Sequence, residues 1–178
     1  LKQTAERVLP SSMELGGNAP FLVLEGSNVD HAVEGAMVAK MRNGGSACTA
    51  ANRFYVHESI SSEFADKFEV ALRGLKIGPG MDPTNELGAM VNDKERDKIL
   101  DLIGQAEDEG GQVTQAGEAP ATGAFVAPRI VRGVEHGSVL TRNEIFGPVA
   151  PIVSVESTDE AVRMANDTEY GLISYVFA

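Results

Sequence analysis

The feature that most constrains this 178-residue chain is a recurring alternation of short apolar runs with stretches of helical periodicity. Phe21-Leu22-Val23-Leu24, Arg53-Phe54-Tyr55-Val56-His57 and Val149 to Val155 are the runs. The first, a short continuous apolar run, suits a strand buried on both faces, and the second is rich in the aromatic and branched residues that favour strands. Between them, Val29 to Arg42 carries Ala32, Val33, Ala36, Met37, Ala39 and Lys40 at helical spacing, with Asn28 placed to cap it. Ser61 or Ser62 opens a second helix to about Leu75, with Phe64, Phe68, Ala71, Leu72 and Leu75 inward. A third runs from Asn92 or Asp93 to about Glu109, and Gly110-Gly111 stop it. Thr158 or Asp159 caps a fourth through Asn166. Strands alternating with helices predict an α/β domain, three-layered, with a largely parallel sheet.

The remaining segments are read more locally. Residues 1–9 form the last turns of a helix, ended by Pro10, and residues 10–20 are a loop and the only candidate linker. Gln112 to Gln115 is a strand, and Arg129 to Val134 is an edge or connecting strand. Pro151 suggests an edge position or a bulge for the run Val149 to Val155. Glu144 to Pro148 is a turn, and Tyr170 to Phe177 is a closing strand. The chain starts inside a helical pattern and stops inside an apolar strand, which reads as a piece excised from a longer protein.

Charge and cysteine usage narrow the function classes. Fifteen Lys and Arg face 26 Asp and Glu, a net charge of −11, which argues against nucleic-acid or anionic-membrane partners. One cysteine cannot form an internal disulfide, so a reducing cytoplasm is the expected setting. No apolar run approaches the roughly 20 residues of a membrane-spanning helix, and no basic segment leads into an apolar one at the start. Three scattered histidines with one cysteine give no metal-ligand spacing.

That cysteine closes the stretch Lys40-Met41-Arg42-Asn43-Gly44-Gly45-Ser46-Ala47-Cys48. A glycine pair lets the chain turn tightly, and a cysteine after such a turn can be exposed and activated. A lone cysteine is also often a small buried hydrophobe, and the turn alone does not choose between the two.

Met13-Glu14-Leu15-Gly16-Gly17, then the Gly-rich turn ending in Cys48, then Glu144-Ile145-Phe146-Gly147-Pro148, in this order, resemble the aldehyde dehydrogenase superfamily. The resemblance extends through Ala51 to Val56 and Ala165 to Leu172, and so over essentially the whole chain. Glu14 to Phe21 together with Arg42 look most like the succinate-semialdehyde dehydrogenases within it. The resemblance implies the family's catalytic-domain fold for residues 14–178, C-terminally truncated, with residues 1–13 as the tail of a cofactor-binding domain that lies upstream. It implies NAD or NADP as cofactor, an aldehyde as the small-molecule substrate, and a homo-oligomeric parent. Cys48 is similar to the family's nucleophile, forming a thiohemiacetal and then a thioester. Glu14 matches the base that activates water for hydrolysis, in a partly desolvated pocket that would raise its pKa. Glu144 matches the residue that holds the nicotinamide ribose and Phe146 the one beside the nicotinamide ring. Leu15 and Gly16 fall on the cofactor side. Arg42 matches a reader of a carboxylate on the substrate, succinate semialdehyde or another acid-aldehyde such as glutarate semialdehyde.

The chain departs from the family at Ser46, where glutamine is usual, and at Asn18, where lysine is usual outside the semialdehyde type. Ala50 stands where some relatives carry a second, redox-active cysteine. No G-x-G-x-x-G run occurs, so the isolated piece is expected to have little NAD(P)-dependent activity. The sequence also admits two other readings. One is an amidase-type hydrolase using Ser46, and the other is a non-catalytic module acting through protein contacts. Arg42 could also simply face a helix C-terminus, and a Cys48–His57 dyad is conceivable.

Overall fold

Two-residue alternation along the strands decides the layering. In the computed structural model, which describes residues 1–178, Phe21 and Val23 of β1 (Ala19–Val23) point to one face of the sheet and Leu22 to the other. Phe54 and Val56 of β2 (Ala51–His57) repeat this, with Tyr55 opposite. The sheet is completed by β3 (Gln112–Gln115), β4 (Arg129–Arg132), β5 (Val149–Val155) and β6 (Tyr175–Phe177), in the order β3-β4-β5-β2-β1-β6. Every neighbouring pair is parallel except β3 with β4.

Helices cover both faces, which is what strands apolar on both sides require. On one face α2 (Val29–Ala36) and α3 (Glu58–Arg73) bury Ala32, Val33, Phe64, Phe68 and Leu72 against Phe21, Phe54 and Ile152. Phe21 lies 5.0 Å, ring to ring, from both Phe54 and Phe177. On the other face α4 (Asp93–Asp108), α5 (Val139–Arg142) and α6 (Thr158–Asn166) pack Ile99, Leu102, Leu140 and Ala161 over Leu22, Tyr55 and Val153. A four-residue helix, α1 (Lys2–Ala5), stands apart on an exposed leading segment.

Several expectations need correction. Helix α1 ends at Ala5, because no residue of it is buried and nothing rewards a longer one. Helix α3 begins at Glu58, capped by the His57 ring accepting from the Ser59 N–H, not at Ser61 or Ser62. Helix α6 is capped by Ser157, not by Thr158 or Asp159. The closing strand shrinks to Tyr175–Phe177. Strand β4 is interior, since β3 takes the edge. Strand β5 is interior too, and Pro151 is tolerated there for a specific reason. The β4 ladder uses Val149 to Pro151 and the β2 ladder uses Ile152 to Val155, so the missing N–H falls where one ladder hands over to the other. Asn28 and Asn92 cap α2 and α4 as expected.

Two irregularities aim polar side chains inward. The β1–β2 register pairs Ala19 with Ala51 and Pro20 with Arg53, so Asn52 is an extra residue in β2. Such a bulge redirects a side chain, and the neighbours Asn52 and Arg53 are both buried. After Ala36 the helix widens into a π turn, Met37–Met41, which leaves Lys40 with no exposed surface. No carboxylate lies within ion-pair distance of its amine, and burial pulls its pKa from 10.5 down to about 7.

This amine opposes folding with a defined pH dependence. Between pH 7 and pH 10.5 the unfolded chain holds a proton that the native state has shed, so stability rises with pH across that window. At about 1.4 kcal/mol per pH unit the cost is on the order of 5 kcal/mol at and below pH 7 and vanishes above 10.5. Lys40→Met is therefore expected to stabilise the chain at pH 7 by about 2–4 kcal/mol, after the loss of its one hydrogen bond. The gain should disappear by pH 10.5 in paired urea titrations of the two proteins.

Candidate active site

Three segments meet at the edge of the sheet where the parallel strands begin. Residues 14–18 lead into β1, residues 43–50 into β2, and residues 143–148 into β5. Open α/β sheets more often carry their sites at the opposite edge, beyond the strand ends. Here the junction is tight. The Gly17 N–H donates to Glu144 Oε1 at 3.0 Å. A Cβ on Gly17 would overlap the Cys48 carbonyl oxygen, and one on Gly45 would overlap the Gly147 carbonyl oxygen. The Ser46 hydroxyl donates to the Phe146 carbonyl at 3.2 Å. Asn43, Gly44 and Gly45 all take positive φ, 54°, 61° and 76°, so the chain leaves the π turn in three left-handed steps. Cys48 then sits in a turn closed by the Ala50 N–H donating to the Ala47 carbonyl at 3.0 Å, its thiol free and partly exposed.

The expected site residues fall around this loop in two groups. Glu144 and Phe146 border a cavity of about 570 Å³ with Asn43, Ser46, Glu95 and Lys98. Phe146 holds its place at φ 57°, and the Lys98 amine donates to the Glu144 carbonyl at 3.2 Å. Arg42 borders a different cavity, about 420 Å³ and mostly apolar, with His31, Ala47, Thr49, Tyr175 and Phe177. Residues around Cys48 line both cavities, Asn43 and Ser46 the first and Ala47, Thr49 and Ala50 the second, while Cys48 itself lines neither. Arg42 is exposed and has no ion pair. Beside it the Tyr175 hydroxyl donates to the Thr49 carbonyl at 2.8 Å. Burial pushes that phenol up, and the Arg42 charge pulls it partly back.

Glu14 departs from expectation. It is exposed and has no hydrogen bond or ion pair, so the partly desolvated pocket expected for it is absent from this chain. Leu15 is 67% exposed, and Gly16 lies against Glu144, whose Oε2 would be 2.7 Å from a Cβ placed there. His57 is excluded as a partner of Cys48. It sits at the far end of β2, where Nε2 donates to the Glu156 carbonyl and Nδ1 accepts from Ser59.

Residues given no role from the sequence support the junction from beneath. Lys40 Nζ donates to Asn52 Oδ1, and Asn52 Nδ2 donates to Asn18 Oδ1 and to the Asn143 carbonyl. Arg53 donates to the carbonyls of Asn18, Met164 and Ala165, tying the end of α6 to the start of β1. A sequence signal existed for Lys40, a lysine in an apolar stripe. None existed for Lys98, which looks like any exposed helix residue.

The glycine contacts predict unequal mutants. Gly17→Ala meets backbone and is expected to cost about 1–3 kcal/mol and to change the alkylation rate of Cys48. Gly16→Ala meets the Glu144 carboxylate, a side-chain end that can turn aside at the expense of its bond from the Gly17 N–H, and should cost about 1 kcal/mol. Urea denaturation and iodoacetamide labelling of the two variants check this.

The aldehyde dehydrogenase family profile matches residues 1–178. The succinate-semialdehyde dehydrogenase of Paenarthrobacter nicotinovorans is 45% identical over all of this chain and 40% of its own length. The NADP(+) succinate-semialdehyde dehydrogenase GabD of Escherichia coli K12 is 37% identical over all of this chain and 37% of its own length. The crystal structure of a succinate-semialdehyde dehydrogenase from Burkholderia pseudomallei superposes with a TM-score of 0.94 at 39% identity, covering 99% of this chain and 37% of that one. The chain thus spans about two fifths of the length of the curated relatives it matches. With its full length matched by the family profile and its sheet superposed on a family member, the chain belongs to the aldehyde dehydrogenase family.

Proposed function

We propose that this chain carries the catalytic part of an NAD(P)-dependent aldehyde dehydrogenase acting on a small acid-aldehyde, succinate semialdehyde first among them. Residues 1–13 are then the tail of a preceding cofactor domain and residues 14–178 the catalytic domain. The observation that carries the reading is the junction in which Gly17 touches both Glu144 and the Cys48 carbonyl. It brings the three motif segments, far apart in sequence, to one place.

The residues around the larger cavity suit the nicotinamide end of the cofactor. A carboxylate (Glu144) suits a sugar diol, and an aromatic ring (Phe146) suits a flat heterocycle. When bound, the oxidised cofactor accepts the hydride that leaves the substrate carbon. The chain's own residues do the rest. Cys48 Sγ, as thiolate, forms a bond to the aldehyde carbon, and the carbonyl electron pair moves to oxygen. The backbone N–H of Cys48 is a donor for that oxygen. Departure of the hydride leaves a thioester on Cys48, which water hydrolyses to the carboxylic acid. Glu14 takes the proton from that water. Its exposure here fits a base whose enclosing wall comes from elsewhere in the longer protein. Arg42, free of any partner and bordering the apolar cavity, holds the substrate's far carboxylate while its methylenes lie on Tyr175 and Phe177.

Family membership leaves the Ser46 amidase reading without support, and the Ser46 hydroxyl is engaged by the Phe146 carbonyl. In the complete protein, Cys48→Ala is expected to abolish aldehyde-dependent NAD(P)H formation. Arg42→Ala should erase the preference for succinate semialdehyde over butyraldehyde, a loss of about 2–5 kcal/mol in discrimination if the pair is desolvated. An unchanged ratio of kcat/KM values would remove Arg42 from the substrate site. The 178-residue chain assayed alone should show little turnover, and robust activity would contradict the assignment of a separate cofactor domain.

A further inference from the structure

A chain of amides beneath the junction has a sense of direction that its ends impose. The carbonyls of Thr141 and Asn143 can only accept hydrogen bonds. Asn18 Nδ2 donates to the Thr141 carbonyl at 2.9 Å, so Asn18 turns its Oδ1 toward Asn52. Asn52 meets that oxygen with Nδ2 at 3.0 Å and spends its second amide hydrogen on the Asn143 carbonyl at 3.1 Å. Its own Oδ1 therefore faces residue 40, where only a donor will serve. Lys40 Nζ supplies it at 3.0 Å. With an apolar side chain at position 40 this oxygen would be buried and unpaired. Turning the Asn52 amide over would instead set oxygen against both Asn18 Oδ1 and the Asn143 carbonyl.

We propose that Lys40 is a positioning residue of the active site, the terminal donor of a one-way amide chain that holds the Glu144 turn against Gly17. The proposal rests on the aldehyde dehydrogenase reading. Asn18 follows Gly17 and Asn143 precedes Glu144, so the Asn52 bonds run beside the Gly17–Glu144 bond as a second rung between the same two segments. Asn52 reaches both because it is the extra residue of the β2 bulge. A space-filling role does not explain Lys40. It is wholly buried, it has no counter-ion on α2, α3 or β2, and an apolar side chain would fill the same volume at less cost.

The test is Lys40→Met, with Asn52→Leu and the double variant, in the complete enzyme and in this chain. Lys40→Met is expected to raise the melting temperature, while the Gly17 amide exchanges hydrogen about tenfold faster and KM for the cofactor rises about tenfold. KM for the aldehyde should change much less. The double variant should be no worse than Asn52→Leu alone, because the two side chains act as one unit. A more stable Lys40→Met with unchanged Gly17 exchange and unchanged cofactor KM overturns the proposal and makes Lys40 a filler. Accelerated exchange in a protein whose wild type oxidises no aldehyde overturns the enzymatic reading and, with it, the catalytic purpose of the chain.

Discussion

Between the backbone of Gly17 and the carbonyl of Cys48 there is no room for one more carbon atom, and the rest of the structure is arranged around that approach. The same crowding recurs between Gly45 and the Gly147 carbonyl. Backbone meeting backbone at this distance cannot be relaxed by a rotamer change, because neither side has a rotamer to change. The segments before β1, β2 and β5 are thus locked to one another by excluded volume, and hydrogen bonds such as Gly17 to Glu144 set their angle. The Cys48 backbone is thus held by the neighbouring segments as well as by its own turn.

The support under the junction is polar where an apolar filling would be more stable. Arg53 is buried and satisfied mostly by carbonyl oxygens, and Lys40 is buried with a single amide partner. Hydrogen bonds have direction and apolar contacts do not, so a polar filling can determine which way a carbonyl or an amide points. The two cavities bordered by the residues around Cys48 differ in their linings. One mixes Asn43, Ser46, Glu95, Lys98 and Glu144 with Met90, Val91 and Phe146, and the other is mostly aromatic and small apolar side chains with Arg42 at its border.

Much of the fold was legible because it follows from local periods. Phe21, Leu22 and Val23 announce a strand buried on both faces, and Ile99, Leu102, Ile103 and Ala106 announce a helix face, without reference to any distant residue. What escaped was set by pairing across the chain. That Asn52 is an extra residue depends on how β2 aligns with β1, which no window around Asn52 contains. That Pro151 suits an interior strand depends on where two ladders exchange partners. At the site, the motifs marked the three segments that meet at the junction, and the exposure of Glu14 was not legible because it depends on which other segments pack against it. Lys40 was placed on the inward stripe, yet no role followed, because a helical stripe says which way a side chain points and not what waits for it.

The position of the junction at the beginnings of the strands has an evolutionary corollary. The connections at the other edge, residues 24–28 after β1 and residues 156–157 after β5, join a strand to the helix that follows it and carry none of the junction's contacts. Insertions there lengthen a turn and leave the strand starts where they were. An insertion of one residue between Cys48 and β2, or between Phe146 and β5, displaces a junction residue by about 3.3 Å, the rise of one strand residue. Variation in length should therefore accumulate on one side of the molecule, and loop length at each edge becomes a readable mark of which side holds the junction.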